Sequence, residues 1–278
     1  MPATRWRERP AWRTAGIAAP ALILVVISLW EMVAVTRARI LTPTEQDWQE
    51  LSTALRAAHR PGDLIVFAPA WIDPIGRHHL GDLIPVEMAA RADADRYAVV
   101  WEVAEEDARA PDTAGLTADR TQEFGPLLLR HYRKAPVTVV TDFAAALPGA
   151  TVSGRGKGKP SVRLEEVGFA PHRCVLVVPQ PDQTVRLAYP SVALGSELVG
   201  YVGLADVFTR RDVRDPARLV VSVDGRAVAE VTVGVDDGWV RFRAPTTPAA
   251  GAAVEVAATA LGPRARDRRV CFHLEARR

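Results

Sequence analysis

The chain has two cysteines in 278 residues, almost no lysine beside its arginine, and a single apolar run long enough to cross a bilayer. Each scarcity excludes something. Two lone cysteines cannot build a paired-cysteine zinc motif or a dense disulfide scaffold. Neither a metalloprotease helix motif nor a nucleophile elbow occurs. Arginine in place of lysine is the habit of a GC-rich bacterial genome. Nor is there charge of one sign to draw nucleic acid. The formal charge is +2, and the first forty residues hold six arginines against Glu8 and Glu31, which leaves the remaining body slightly acidic.

What is there begins with the apolar run, Ala15 to Trp30, closed by Glu31 and Arg37. Continued through Met32, Val33 and Val35 it reaches about 20 residues, enough at ~1.5 Å rise each to span a ~30 Å hydrocarbon core. Arg5, Arg7, Arg9 and Arg13 precede it, against Arg37 and Arg39 after it. Cationic flanks stay on the cytoplasmic side. The expectation is a single-pass signal-anchor in the bacterial inner membrane, N-terminus in the cytoplasm and body in the periplasm. A cleaved signal peptide is the alternative, but its candidate sites near Ala34 to Ala38 are spoiled by Met32 and Arg37.

Beyond the anchor, about 235 residues leave room for two domains with real cores. Thr44 to Arg60 has the marks of a helix, with Thr44 as cap, Asp47 three positions on, and Trp48, Leu51 and Leu55 on one face. Leu64 to Ala68 and Tyr97 to Val103 read as strands of a parallel sheet, with a helix between them from about Leu80 to Ala92, broken near Pro85. Val137 to Thr141 reads as a further strand of that layer, followed by a helical Phe143 to Leu147. Val152 to Pro160 reads as a linker. Its Ser153-Gly154-Arg155-Gly156-Lys157-Gly158-Lys159 lacks the spacing of a phosphate-binding loop. After it come eight or nine short strands, with Asp224-Gly225 and Asp237-Gly238 as hairpin signals. The fold expected is therefore α+β and multidomain. Residues 1–41 form the basic start and transmembrane helix, 42–150 a small α/β domain, 151–163 the linker, and 164–278 an antiparallel β-sandwich of jelly-roll type.

Two partial resemblances accompany this layout. The stretch Gly62-Asp63-Leu64-Ile65-Val66-Phe67 through Tyr97-Ala98-Val99-Val100-Trp101 resembles the soluble α/β portion of polytopic, lipid-linked-sugar glycosyltransferases. Those enzymes carry their catalytic carboxylates between membrane helices, so no catalytic residue transfers to this chain. The second half, from Leu194-Gly195-Ser196-Glu197-Leu198 through Asp237-Gly238-Trp239, resembles galactose-binding-like and related carbohydrate-binding jelly rolls. That resemblance implies a glycan ligand.

The densest polar cluster follows the first strand, where open α/β sheets bind ligands. Asp73, His78, His79 and Asp82 offer oxygen and imidazole groups there, and Arg77 a guanidinium for a phosphate or carboxylate. Each also has a structural use: Asp82 as a helix-start residue, Arg77 in an ion pair, a histidine packed in place. Asp93-Ala94-Asp95 is similar to the paired aspartates that hold a metal-bound nucleotide sugar in some glycosyltransferases. It precedes a strand rather than following one, so it reads as a solvated helix end. Glu102, Glu105, Glu106 and Asp107 read as an acidic surface that can face the Asp73 loop. In the sandwich, Tyr189, Tyr201, Phe208, Trp239 and Phe242 are candidates for stacking on a sugar, Trp239 foremost, with Arg210, Arg211 and Arg214 adding hydrogen bonds. Cys174 and Cys271 lie in strand-like runs in an oxidising compartment and are expected to pair. No metal and no cofactor is expected. The reading favours a non-catalytic envelope protein that binds a carbohydrate or a protein partner. An enzyme of envelope polysaccharide or lipid-linked sugar metabolism using the Asp73 to Asp82 loop is the second reading, and a structural interaction module the third.

Overall fold

The structure, a computed structural model, describes residues 12–205, 214–263 and 267–278, without the side chains of 12–19, 21 and 38–40. Helix α1 is Trp12–Leu41. Its described apolar side chains from Leu22 to Val35 are all exposed. Among the described residues, no helix is long and apolar enough to cross a membrane. Helix α2, Glu45–Ala58, begins in a capping box. The Thr44 N–H donates to Asp47 Oδ2 at 2.7 Å, and the Asp47 N–H donates back to Thr44 Oγ1 at 3.2 Å.

Four strands make the first layer: β1 (Leu64–Ala68), β2 (Val99–Glu105), β3 (Arg120–Phe124) and β4 (Leu127–Arg133), in the order β1-β2-β4-β3. Only β1 and β2 run parallel; the other pairs are antiparallel, so the sheet is mixed rather than parallel as expected. Trp48, Leu51 and Leu55 bury the face of α2 in the core of this layer. The polar stretch after β1 folds as helix α3, Asp73–Leu80, with Pro74 in its first turn. It approaches β1 closely because residue 76 is glycine: a Cβ there would lie 2.0 Å from the Phe67 ring. The helix expected from Leu80 to Ala92 is cut to α4, Val86–Ala89, by the turn before Pro85.

The rest is a sandwich of two sheets around one apolar core. Its strands are β5 (Val139–Asp142), β6 (Thr151–Gly154), β7 (Ser161–Val167), β8 (Ala170–Val177), β9 (Thr184–Leu194), β10 (Glu197–Leu204), β11 (Ala217–Val223), β12 (Arg226–Val233), β13 (Val240–Pro245), β14 (Ala249–Ala260) and β15 (Val270–Arg277). One sheet runs β13-β10-β15-β8-β7 with β5 also on β15, and the other β12-β11-β14-β9-β6. Successive strands cross between sheets at most connections, which is the winding of a jelly roll. Two expectations change here. Val137 to Thr141 contributes β5 to the sandwich, not to the first layer. Residues 151–163, expected as a linker, carry β6, paired with β9, and the start of β7. Two of their glycines serve close packing: a Cβ would lie 2.0 Å from the Thr184 carbonyl oxygen at Gly154 and 2.7 Å from the Val185 side chain at Gly156.

Candidate functional site

The five polar residues after β1 do not converge. Asp73 and Arg77 lie one helical turn apart and pair with each other, Nε to Oδ2 2.6 Å. Asp82 accepts from both terminal nitrogens of Arg56 in α2, Nη2 at 2.8 Å and Nη1 closer. That bond holds its carboxyl below the usual carboxylate range. His79 stacks on Trp48 with ring centres 5.2 Å apart, and His78 meets His79 edge-on. The five thus split into an Asp73–Arg77 pair, a His78–His79 contact against Trp48, and an Asp82–Arg56 pair beyond the end of α3.

The acidic group at 102–107 is not a solvated surface throughout. Glu102 is fully buried and accepts from the Ala110 N–H at 2.7 Å, Arg130 Nη1 at 2.9 Å, the Tyr132 hydroxyl at 2.9 Å, and the Thr113 hydroxyl. Burial works to raise its pKa, and the four donors outweigh it and lower it. The Tyr132 hydroxyl is pushed up to about 12, by burial first and then by its bond to Glu102. This carboxylate and Asp63, which takes the Trp101 Nε1–H at 3.0 Å, are both committed to structure. Glu102 lies in β2 and Asp63 directly before β1.

The aromatic candidates divide in three. Tyr189 and Phe242 belong to the sandwich core. Phe208, Arg210 and Arg211 lie outside the described residues; Arg214 is buried and donates to the Ala205 carbonyl at 2.9 Å. Tyr201 and Trp239 lie on the outer face of the β10 sheet, but in a closed stack. His172 covers one face of Trp239 at 4.4 Å and Tyr201 the other at 5.9 Å, while Arg241 covers Tyr201 at 5.8 Å. Neither ring keeps a face for a pyranose.

What covers that outer face is the segment Ala90 to Arg96 from the first layer. Asp93 Oδ2 accepts from the Tyr201 hydroxyl at 2.7 Å and from Arg277 Nη2 at 2.8 Å. Asp95 Oδ2 accepts from Arg241 Nη2 at 2.8 Å and Arg277 Nη1 at 3.0 Å. The pair read as a solvated helix end is therefore the latch between the two halves, and the Asp93 side chain is only 13% exposed. Glu275 completes it. Its Oε1 pairs with His273 Nε2 at 2.5 Å and with Arg96, and its Oε2 with Arg277 Nε at 2.7 Å. Burial would raise the Glu275 carboxyl, but the His273 hydrogen bond and the neighbouring cations bring it down to about 2.

Beside the latch the sheet forks. β15 pairs with β8 as far as Phe272 and with β5 from Glu275, so His273 stands where its neighbour changes. Cys174 and Cys271 are joined by a disulfide at the root of this fork, with a Cα separation of 5.5 Å. A cleft of about 310 Å³ opens there, at the lower end of the size of small-molecule sites. Glu87, Asp93, Asp142 and Glu275 line it against Arg91, Arg96 and Arg173, with Tyr97 and His273 between them. Arg96 is shared by Glu275 and Asp142, and Arg91 donates to Asp112 at 2.8 Å. Arg173 has no side-chain partner among the described residues and stands exposed at the rim. The cleft offers both donors and acceptors, and its formal charges nearly cancel. Among the described residues, no group of three or more His, Cys, Asp or Glu is placed to hold a metal ion.

No protein-family model matches the chain, and no curated protein matches its sequence. Solved structures do match in part. The CBM51-2 and INT domains of Clostridium perfringens ZmpB, in complex with GlcNAc, share 13% identity over 56% of this chain and 36% of theirs, TM-score 0.36. CBM51 from Clostridium perfringens GH95, in complex with methyl-galactose, shares 11% over 45% of this chain and 92% of its own, TM-score 0.32. The CBM22-1 xylan-binding domain of Paenibacillus barcinonensis Xyn10C shares 18% over 51% and 92%, TM-score 0.30. The match thus spans about a third of the ZmpB structure. At TM-scores this low the likeness carries neither their fold family nor their ligands to this chain.

Proposed function

We propose that this chain is a membrane-anchored, non-catalytic binding protein of the bacterial cell envelope whose fork cleft takes a neutral carbohydrate. The observation that carries this reading is the chemistry of the cleft. Its carboxylates and guanidinium groups face one another in near balance, so a charged ligand gains little while a polyol meets donors and acceptors together. No serine, threonine or cysteine lines it as a nucleophile. Glu275, held ionised down to about 2, is far from the range of a general acid or base at neutral pH.

The anchor and the orientation belong to the same proposal. Their support is the exposed apolar side chains of α1 from Leu22 to Val35, a surface that water penalises, and the arginine excess before the run. Alkaline phosphatase fused to the C-terminus is expected to be active, and a fluorescent protein that matures only in the cytoplasm to stay dark. The reverse pattern overturns the orientation. For the ligand, the full-length chain in neutral detergent micelles is applied to a glycan array. Retention of neutral oligosaccharides with no change in their mass is expected. No retained glycan, or a processed one, overturns the reading.

A further inference from the structure

A second cleft, of about 540 Å³, lies where α2 ends and leaves part of the first sheet uncovered. It shares no lining residue with the fork cleft. Trp101, His131 and Arg120 stand opposite one another across β2, β4 and β3, and Val99 faces Arg133 one row along the same face. The Trp101 and His131 rings pack at 4.5 Å and form its floor. Arg60 closes it from the turn after α2.

In this cleft arginine outnumbers carboxylate, the opposite of the fork cleft. Two carboxylates line it, and each is already taken. Asp63 Oδ2 accepts from Trp101 Nε1 and from the Arg60 backbone N–H, both at 3.0 Å. Asp119 sits 3.4 Å from His131 Nδ1 and 3.6 Å from Arg133 Nε. The guanidinium groups of Arg60 and Arg120 have no hydrogen bond or ion pair among the described residues. Two guanidinium groups without a side-chain partner therefore face a concave site lined by three arginines against two aspartates, a small excess of positive charge.

We infer that this cleft binds a phosphoryl group, with Arg60 and Arg120 as its direct ligands and Arg133 in support. The three oxygens of a phosphoryl group suit guanidinium groups arriving from different strands and a turn, and its charge answers the excess of arginine over aspartate in the lining. The phosphoryl group can belong to a soluble phosphosugar or to a lipid headgroup, and the two sources are separable by experiment.

The test is calorimetric titration of the full-length chain in neutral detergent with inorganic phosphate, glucose 1-phosphate, glucose, and micelles doped with phosphatidic acid. The phosphorylated probes are expected to bind, glucose not to displace them, and affinity to weaken as salt rises. Binding of both soluble phosphates marks a soluble ligand, and binding of the doped micelles alone marks a lipid one. In Arg60→Gln/Arg120→Gln the affinity is expected to fall about tenfold or more, while Arg163→Gln on β7 leaves it unchanged. Both arginines are exposed and unpaired, and an unchanged melting curve and unchanged Trp101 indole resonance would show that the variant keeps the fold. No binding of any phosphorylated probe, or equal binding by the double variant, overturns the inference. Loss of glycan binding at the fork cleft would leave it standing, since the two clefts share no residue.

Discussion

Glu102 in the first layer and Glu275 in the sandwich are both buried carboxylates answered by arginine, yet they are wired differently. Every donor to Glu102 comes from within its own layer, and Arg130 sits directly opposite on the neighbouring strand. Glu275 takes Arg277 from its own strand but Arg96 from the other half of the chain, and Arg277 reaches on to Asp93 and Asp95. The first network closes a domain. The second joins two, and because Glu275 stands at the fork of the sheet it also lines a cleft. A charge buried with all its partners local has only stability to give, whereas one buried between layers fixes the walls of a site.

Four experiments break or sharpen this comparison. The largest effect belongs to the disulfide, which clamps the sandwich while the first layer has no such restraint. Cys174→Ala/Cys271→Ala reopens a loop with a sequence separation of 97. Urea unfolding of the sandwich is expected to lose about 4–5 kcal/mol in the chain-entropy view, with the first layer little changed. Next is Arg277→Ala, which takes one partner from each of three carboxylates in the latch, Asp93, Asp95 and Glu275. A loss of about 3–5 kcal/mol is expected, together with a split of the unfolding curve into two transitions as the halves uncouple. Glu102→Gln, by contrast, is expected to cost about 2–3 kcal/mol and to lower only the transition of the first layer. If Glu102→Gln uncoupled the halves and Arg277→Ala did not, the comparison would be reversed.

The fourth effect is with pH. Burial holds His172 neutral and lowers its pKa to about 4 from an ordinary 6.5. Below 6.5 the unfolded chain takes a proton that the folded chain refuses until about 4. The stability this residue contributes is therefore complete above 6.5 and is lost as pH falls between those values. Glu275, at about 2 against an ordinary 4.5, adds a second loss between 4.5 and 2. His172→Phe keeps a ring on Trp239 and is expected to flatten the upper part of the stability profile while leaving the lower part. An unchanged slope between pH 6.5 and 4 would contradict this.

Much of the local structure could be read from the sequence. Thr44 with Asp47, the apolar β1 and β2, and the turn at Asp224-Gly225 all depend on neighbours in the chain. Asp224 and Gly225 both take positive φ in the hairpin between β11 and β12. Asp237-Gly238 makes no hairpin: it lies in the connection that carries the chain from one sheet to the other, since β12 and β13 lie in different sheets. The β3–β4 hairpin has no such local signature, because its segments are rich in charge, Arg120 and Glu123 on the edge strand and Arg130 inward, so neither shows a clean alternation. The latch was invisible for a different reason. Asp93 meets Tyr201 and Arg277, 108 and 184 positions away, and no local pattern announces a contact at that range. For the same reason Tyr201 and Trp239 looked like a sugar platform: their types suited one, and the segment that covers them lies more than a hundred residues earlier in the chain.

The central claim is that the fork cleft is where this protein binds a neutral glycan. Ala145 lines it, is exposed, and meets Asp142 only through its backbone N–H, which a substitution keeps, so Ala145→Trp fills the cleft without removing a side-chain partner from any buried charge. The direct measurement is the glycan array run side by side with the full-length wild type and Ala145→Trp, each with its melting temperature. Glycans retained by the wild type and lost by a variant of equal stability are the predicted result. Equal retention by both proteins, or retention by neither, would contradict the account.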